Sequence, residues 1–133
     1  MHAALPIAAL SPLLDEDAYE ILPGDPGAGM VIVADHASNR VPADLGDLGL
    51  PKAEFGRHIA WDIGVEALAR ALSARLGVPA VLSRFSRLVI DPNRGDDDPT
   101  LVMRLSDGAV VPGNARLDAA GRAARIARFW APY

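Results

Sequence analysis

Three short stretches gather the side chains able to do chemistry. In the first, the apolar residues 30–33 give way at once to Asp35, His36, Ser38 and Asn39. His36 is a candidate metal ligand, because neutral imidazole is the commonest protein ligand for metals near neutral pH. The second holds His58 and Asp62, spaced i, i+4, so one helical face presents both if a helix begins at His58. The plain alternative makes His58 a polar helix entry and Asp62 a first-turn acid on the helix dipole.

The third stretch is Ser86-Arg-Leu-Val-Ile-Asp-Pro-Asn-Arg94. Here again an apolar run delivers polar groups, Asp91, Asn93 and Arg94. The guanidinium forks of Arg87 and Arg94 are suited to gripping a carboxylate through two parallel hydrogen bonds. Asp91 has the simpler role of bracing one of these arginines within the loop. The two readings are compatible, since a braced arginine makes the better clamp. Asp96, Asp97 and Asp98 read as a solvated acidic loop.

These groups need elements to position them. Residues 30–34 predict a buried strand whose C-terminal end carries His36, the edge where open α/β sheets bind ligands. Residues 19–22 suggest a short edge strand, and Pro51 opens a short helix through Phe55. Residues 59–76 read as the best helix. Trp61, Val65, Leu68, Leu72 and Leu76 form one apolar stripe, and Gly77 stands just past the end. Residues 78–82 and 88–90 predict two further strands. Residues 101–111 stay ambiguous around a turn at 106–108, and 112–114 form a second turn. Residues 118–130 predict a helix with Ala119, Ala123, Ile126, Ala127 and Trp130 inward and its arginines outward. The order of elements points to an α/β fold, with residues 1–18 as a loose N-terminal arm before the domain at 19–133.

Composition narrows the chemistry. The 133 residues suit one domain. A net charge of −4 with no basic block argues against nucleic acid as a partner. The absence of cysteine rules out thiolate metal sites and a cysteine nucleophile, leaving His, Asp, Glu or Asn to hold any metal. No apolar run reaches the roughly 20 residues needed to span a membrane, and residues 3–10 lack the basic start of a signal peptide. A cytoplasmic protein is expected. There is no His-Glu-x-x-His, no Gly-x-Ser-x-Gly and no phosphate-cradling loop.

Taken together, the stretches resemble the N-formylglutamate amidohydrolase family. The matching pieces are Asp35-His-Ala-Ser-Asn-Arg-Val-Pro42, His58-Ile-Ala-Trp-Asp-Ile-Gly64 and Ser86 to Arg94. Ser106-Asp-Gly-Ala-Val-Val-Pro-Gly-Asn114 and Phe129-Trp-Ala-Pro-Tyr133 follow in the family's order. The resemblance implies a central mixed sheet flanked by helices, similar to zinc-dependent exopeptidases within the phosphorylase/hydrolase-like folds. It implies cleavage of an N-formyl (or N-acyl) amino acid such as N-formylglutamate to formate and the amino acid, with Zn2+ as cofactor.

On the same basis His36 is a metal ligand, and Asp62 is a ligand or a carboxylate that orients His36 or His58. His58 is a weaker ligand candidate. Arg87 stabilises the oxyanion, Asn93 and Arg94 hold the substrate carboxylate, and Ser38 and Asn39 line the substrate site. Family chains continue beyond the Pro132-Tyr133 end. This chain is therefore expected to be an N-terminal portion or a shortened relative, and a homo-oligomer is possible. The competing reading is a non-catalytic carboxylate-binding module without a complete metal site.

Overall fold

A computed structural model describes residues 17–133. The expected N-terminal arm falls almost wholly outside the described residues. A three-stranded mixed sheet is formed by β1 (Tyr19–Leu22), β2 (Ile32–Ala34) and β3 (Ala80–Ser83) in the order β1-β3-β2. β3 runs antiparallel to β1, pairing Tyr19 with Ser83, and parallel to β2, pairing Ala34 with Leu82. β2 and β3 therefore end at the same edge, which places the turn after Ala34 beside Ser83.

Helix α1 (Val65–Leu76) packs on β2 and β3. It begins later than the apolar stripe predicts. Gly64 takes a left-handed conformation (φ 90°) that a side chain resists, and residues 58–62 form turns and irregular chain rather than helix. Its packing face also differs from the expected one. Ala69 and Ser73 are buried, whereas Leu68 and Leu76 are 58% and 55% exposed. The surface beneath offers Ala34 and Ala80 of the sheet and Ala37 of the turn after β2, so the helix packs through its small residues. Gly77 does close the helix, in left-handed conformation with its N–H donated to the Ser73 carbonyl.

The larger core contains no residue of the three-stranded sheet. It gathers Leu48, Leu50, Ile59, Phe85, 88–90, 101–103, Val111 and Phe129 from loops and short turns. Residues 88–90 are fully buried but form no strand. A two-stranded hairpin, β4 (Leu105–Ser106) with β5 (Ala109–Val110), resolves the ambiguous stretch. Both turn residues, Asp107 and Gly108, have positive φ (43° and 78°), the tight hairpin geometry that matches strand twist.

Residues 112–114 belong to a single helical turn, α2 (Pro112–Ala115). Helix α3 (Ala119–Arg125) then passes into a wide π-helical turn over Ile126–Trp130. Ile126 and Trp130 pack against the core as predicted, but Phe129 and Arg125 are buried too, and Ala119, Ala123 and Ala127 are exposed, contrary to the predicted face. Phe129 packs against Phe85 in a tilted pair at 5.4 Å between ring centres, and Tyr133 meets Phe85 edge-on.

Candidate functional site

Backbone hydrogen bonds lace the three stretches together. Asp62 N–H donates to the His36 carbonyl (3.0 Å), Ser86 N–H to the Arg40 carbonyl (2.7 Å) and Arg87 N–H to the Ala60 carbonyl (3.1 Å). Ser86 adds its hydroxyl, which donates to the Ala60 carbonyl at 2.8 Å. The turn after β2 is tied to the end of β3, because Ala37 N–H donates to Ser83 Oγ. His36 itself sits at φ 57°, a left-handed conformation sparsely used by residues with side chains. Such outliers cluster where a fold holds a side chain in place for use.

His36 is buried between two carboxylates. Its Nε2 lies 2.6 Å from Oδ1 of the fully buried Asp91, and its Nδ1 lies 3.3 Å from Oδ2 of Asp62. Asp91 is the hub of the cluster. Arg87 Nη2 donates to its Oδ2 at 2.9 Å, Asn93 N–H donates to its Oδ1 at 3.0 Å, and Arg94 Nε stands 3.4 Å from Oδ2. Arg87 also reaches Asp62 Oδ1 at 3.5 Å. The Nε–H groups of Arg87 and Arg94 are buried without a hydrogen-bond partner among the described residues.

These contacts set the charges. Burial alone would raise the Asp91 pKa, but the His36 hydrogen bond, the Asn93 N–H and the charges of His36 and Arg87 outweigh it and hold it at about 2. Burial alone would lower the His36 pKa. The hydrogen bond and charge of Asp91, helped by Asp62, raise it above the ordinary imidazole value instead. Asp91 is thus an anion, so Nε2 of His36 carries a proton and donates it, and Nδ1 faces Asp62.

The other predicted residues lie elsewhere. Asn39 donates its side-chain amide to the Phe55 carbonyl (2.8 Å). Ser38 Oγ accepts from Arg40 N–H. The Asn93 side chain is exposed while its backbone serves Asp91. His58 is 71% exposed and lies 3.5 Å from Asp107 on the β4–β5 turn, which Arg57 also contacts. The premise that a helix begins at His58 fails, since α1 begins at Val65. The central role of Asp91 went unassigned in the sequence beyond bracing an arginine. Its signal was there: a carboxylate directly after three apolar residues is buried with them and must find partners.

Whether a metal fits can be judged from the donors. Two ligands of a tetrahedral zinc, each at about 2.0–2.2 Å, stand roughly 3.4 Å apart. The 3.3 Å between His36 Nδ1 and Asp62 Oδ2 matches that spacing. The Asp91–His36 contact is the carboxylate–imidazole pairing that commonly fixes a ligating histidine. Two donors therefore suit a metal. Among the described residues, no group of three His, Cys, Asp or Glu side chains converges to complete the set. Nor is any helix among them long and apolar enough to cross a membrane.

Comparison with known proteins gives this mixed α/β architecture, with its cluster of imidazole, carboxylates and guanidinium groups around His36, a family. The chain belongs to the N-formylglutamate amidohydrolase family, whose model matches residues 28–133. This is the family that the five motifs resemble. The crystal structure of a gene product from Agrobacterium tumefaciens is similar, with 37% identity and a TM-score of 0.80 over 88% of this chain. The match covers 46% of that chain, so the present one spans about half its length. No curated protein matches the chain.

Proposed function

We propose that this chain contributes the metal- and carboxylate-binding half of a site that hydrolyses N-formyl or N-acyl amino acids, N-formylglutamate being the model substrate. The observation carrying this reading is the 3.3 Å approach of His36 Nδ1 to Asp62 Oδ2, with His36 locked from behind by Asp91. His36 and Asp62 would hold a zinc ion, whose remaining ligands come from outside the described residues. When bound, such an ion polarises the amide carbonyl and lowers the pKa of a bound water.

The rest falls to the chain's own groups. Asp91 keeps a proton on His36 Nε2, which leaves Nδ1 free to ligate. Arg87, anchored through Nη2 on Asp91, is oriented toward the cluster with Nε–H uncommitted, and it stabilises negative charge developing on the carbonyl oxygen. Arg94, braced by Asp91 at 3.4 Å and Asp98 at 3.5 Å, holds the substrate carboxylate with Asn93, so that binding becomes alignment.

The experiment is to supply the chain with stoichiometric zinc and N-formylglutamate and to follow formate and glutamate. Formate released in a zinc- and His36-dependent manner supports the reading. Tight binding of the acidic substrate without turnover, zinc present, would replace it with a carboxylate-binding role.

A further inference from the structure

Residues 87–91 have the composition of a strand but a different conformation, and that difference matters for the site. In an extended strand, residues four apart stand about 13 Å apart along the chain. Arg87 and Asp91 instead meet at 2.9 Å between Nη2 and Oδ2, because the segment folds into a compact turn that begins with Val89 N–H donating to the Ser86 carbonyl. Leaving the sheet pattern costs the buried carbonyls of residues 88 and 89 their strand partners, and buried carbonyls need donors.

The donors are side chains from a distant part of the sequence. Asn114, itself fully buried, donates its amide to the Leu88 carbonyl (2.7 Å) and the Met103 carbonyl (2.8 Å). Arg125 donates through Nη1 to the Val89 carbonyl (2.8 Å) and to Asn114 Oδ1 (2.6 Å). Arg125 is buried, and among the described residues it draws no charge from a carboxylate. A buried cation without an anion is costly unless its hydrogen bonds are needed. One π-turn later, Trp130 donates its indole N–H to the Arg94 carbonyl (2.9 Å), at the other end of the same loop. Helix α3 and its wide turn thus grip the loop at both ends.

We infer that Arg125, acting with Asn114, is the positioning residue of the site: it holds residues 88 and 89 in the turn that sets Arg87 against Asp91, and so sets Asp91 against His36. The inference rests on the site proposed above, but its test reads the metal-free protein and needs no turnover. The 2.6 Å contact between His36 Nε2 and Asp91 should give a far-downfield proton resonance in the NMR spectrum. Arg125→Met should lose that resonance, and Arg125→Lys, which keeps a donor, should restore it. Ser73→Ala removes a buried hydroxyl that donates to the Val78 carbonyl in the α1 region. It should lower stability and leave the resonance in place.

Should Arg125→Met fail to fold, Arg125→Gln takes its place, with a weakened or shifted resonance expected. An unchanged resonance in a folded Arg125→Met or Arg125→Gln protein overturns the positioning role. A wild-type protein without the resonance overturns it together with the His36–Asp91 site. Absence of formate release alongside the expected pattern would count against the hydrolase reading only.

Discussion

His36 Nε2 and Asp91 Oδ1 stand 2.6 Å apart, both out of solvent, although 55 residues separate them in the chain. Removing one member of a buried ion pair leaves an uncompensated charge, which costs about 3–5 kcal/mol. Asp91→Asn should destabilise the protein by that order, read as a lower urea midpoint with an unchanged slope. A cost below about 1 kcal/mol, in the range of exposed pairs, would mean that the pair is not buried in solution.

The same pair sets a pH profile for the metal-free protein. The His36 pKa is raised on folding, so its contribution is fully present below the unfolded imidazole value and fades as pH rises through the folded one. The Asp91 pKa is depressed from 3.8 to about 2, so its contribution is present above 3.8 and fades as pH falls toward 2. Stability should therefore peak on the acidic side of neutrality, above the carboxylate range. In Asp91→Asn, both flanks should flatten. A wild-type profile that climbs steadily from pH 6 to 9 would contradict the assignment.

Zinc binding tests the donor set. His36→Ala and Asp62→Ala remove the two proposed ligands, and each should abolish stoichiometric zinc uptake measured by calorimetry. Asp91→Asn leaves the ligands in place but loosens the imidazole, and partners of that kind are worth about 10–100-fold in metal affinity. His58→Ala, on the β4–β5 side, should bind zinc as the parent does. Equal losses in all four variants would point to a site elsewhere.

If the hydrolase reading holds, the two arginines should separate kinetically. Arg87→Met removes a group proposed to act on developing charge, so kcat should fall by about 100- to 1000-fold. Arg94→Ala removes a group proposed to hold the substrate carboxylate, so KM should rise with a smaller change in kcat. Steady-state kinetics on formate release distinguishes them; identical effects of the two changes would sink the division of labour.

The site was more legible in the sequence than the fold around it, for a physical reason. His36, Asp62, Arg87, Asp91 and Arg94 are polar residues tied to apolar runs, a local signal that marks a buried or edge position. The backbone of residues 88–90 carried no such signal. Its departure from a strand depends on Asn114 and Arg125, which lie 26 and 36 residues from the carbonyls they satisfy. Arg125 read as a surface residue because charge is usually solvated. The π-turn likewise left no trace in the composition of residues 126–130.

Helix α1 shows the limit of periodicity most directly, and it yields a mutational test. Its leucines and its small residues recur at the same spacing, so pattern alone gives the stripe to the larger side chains. The surface beneath decides otherwise, since Ala34 and Ala80 of the sheet and Ala37 of the turn after β2 are small and put Ala69 and Ser73 at the contact. Leu68→Glu on the open side should change stability by no more than about 0.5 kcal/mol. Ala69→Leu forces extra methylenes into the contact and should cost about 1–3 kcal/mol. Urea unfolding of the two variants side by side gives the answer. A large loss for Leu68→Glu with a small one for Ala69→Leu would mean that α1 packs through its leucines after all.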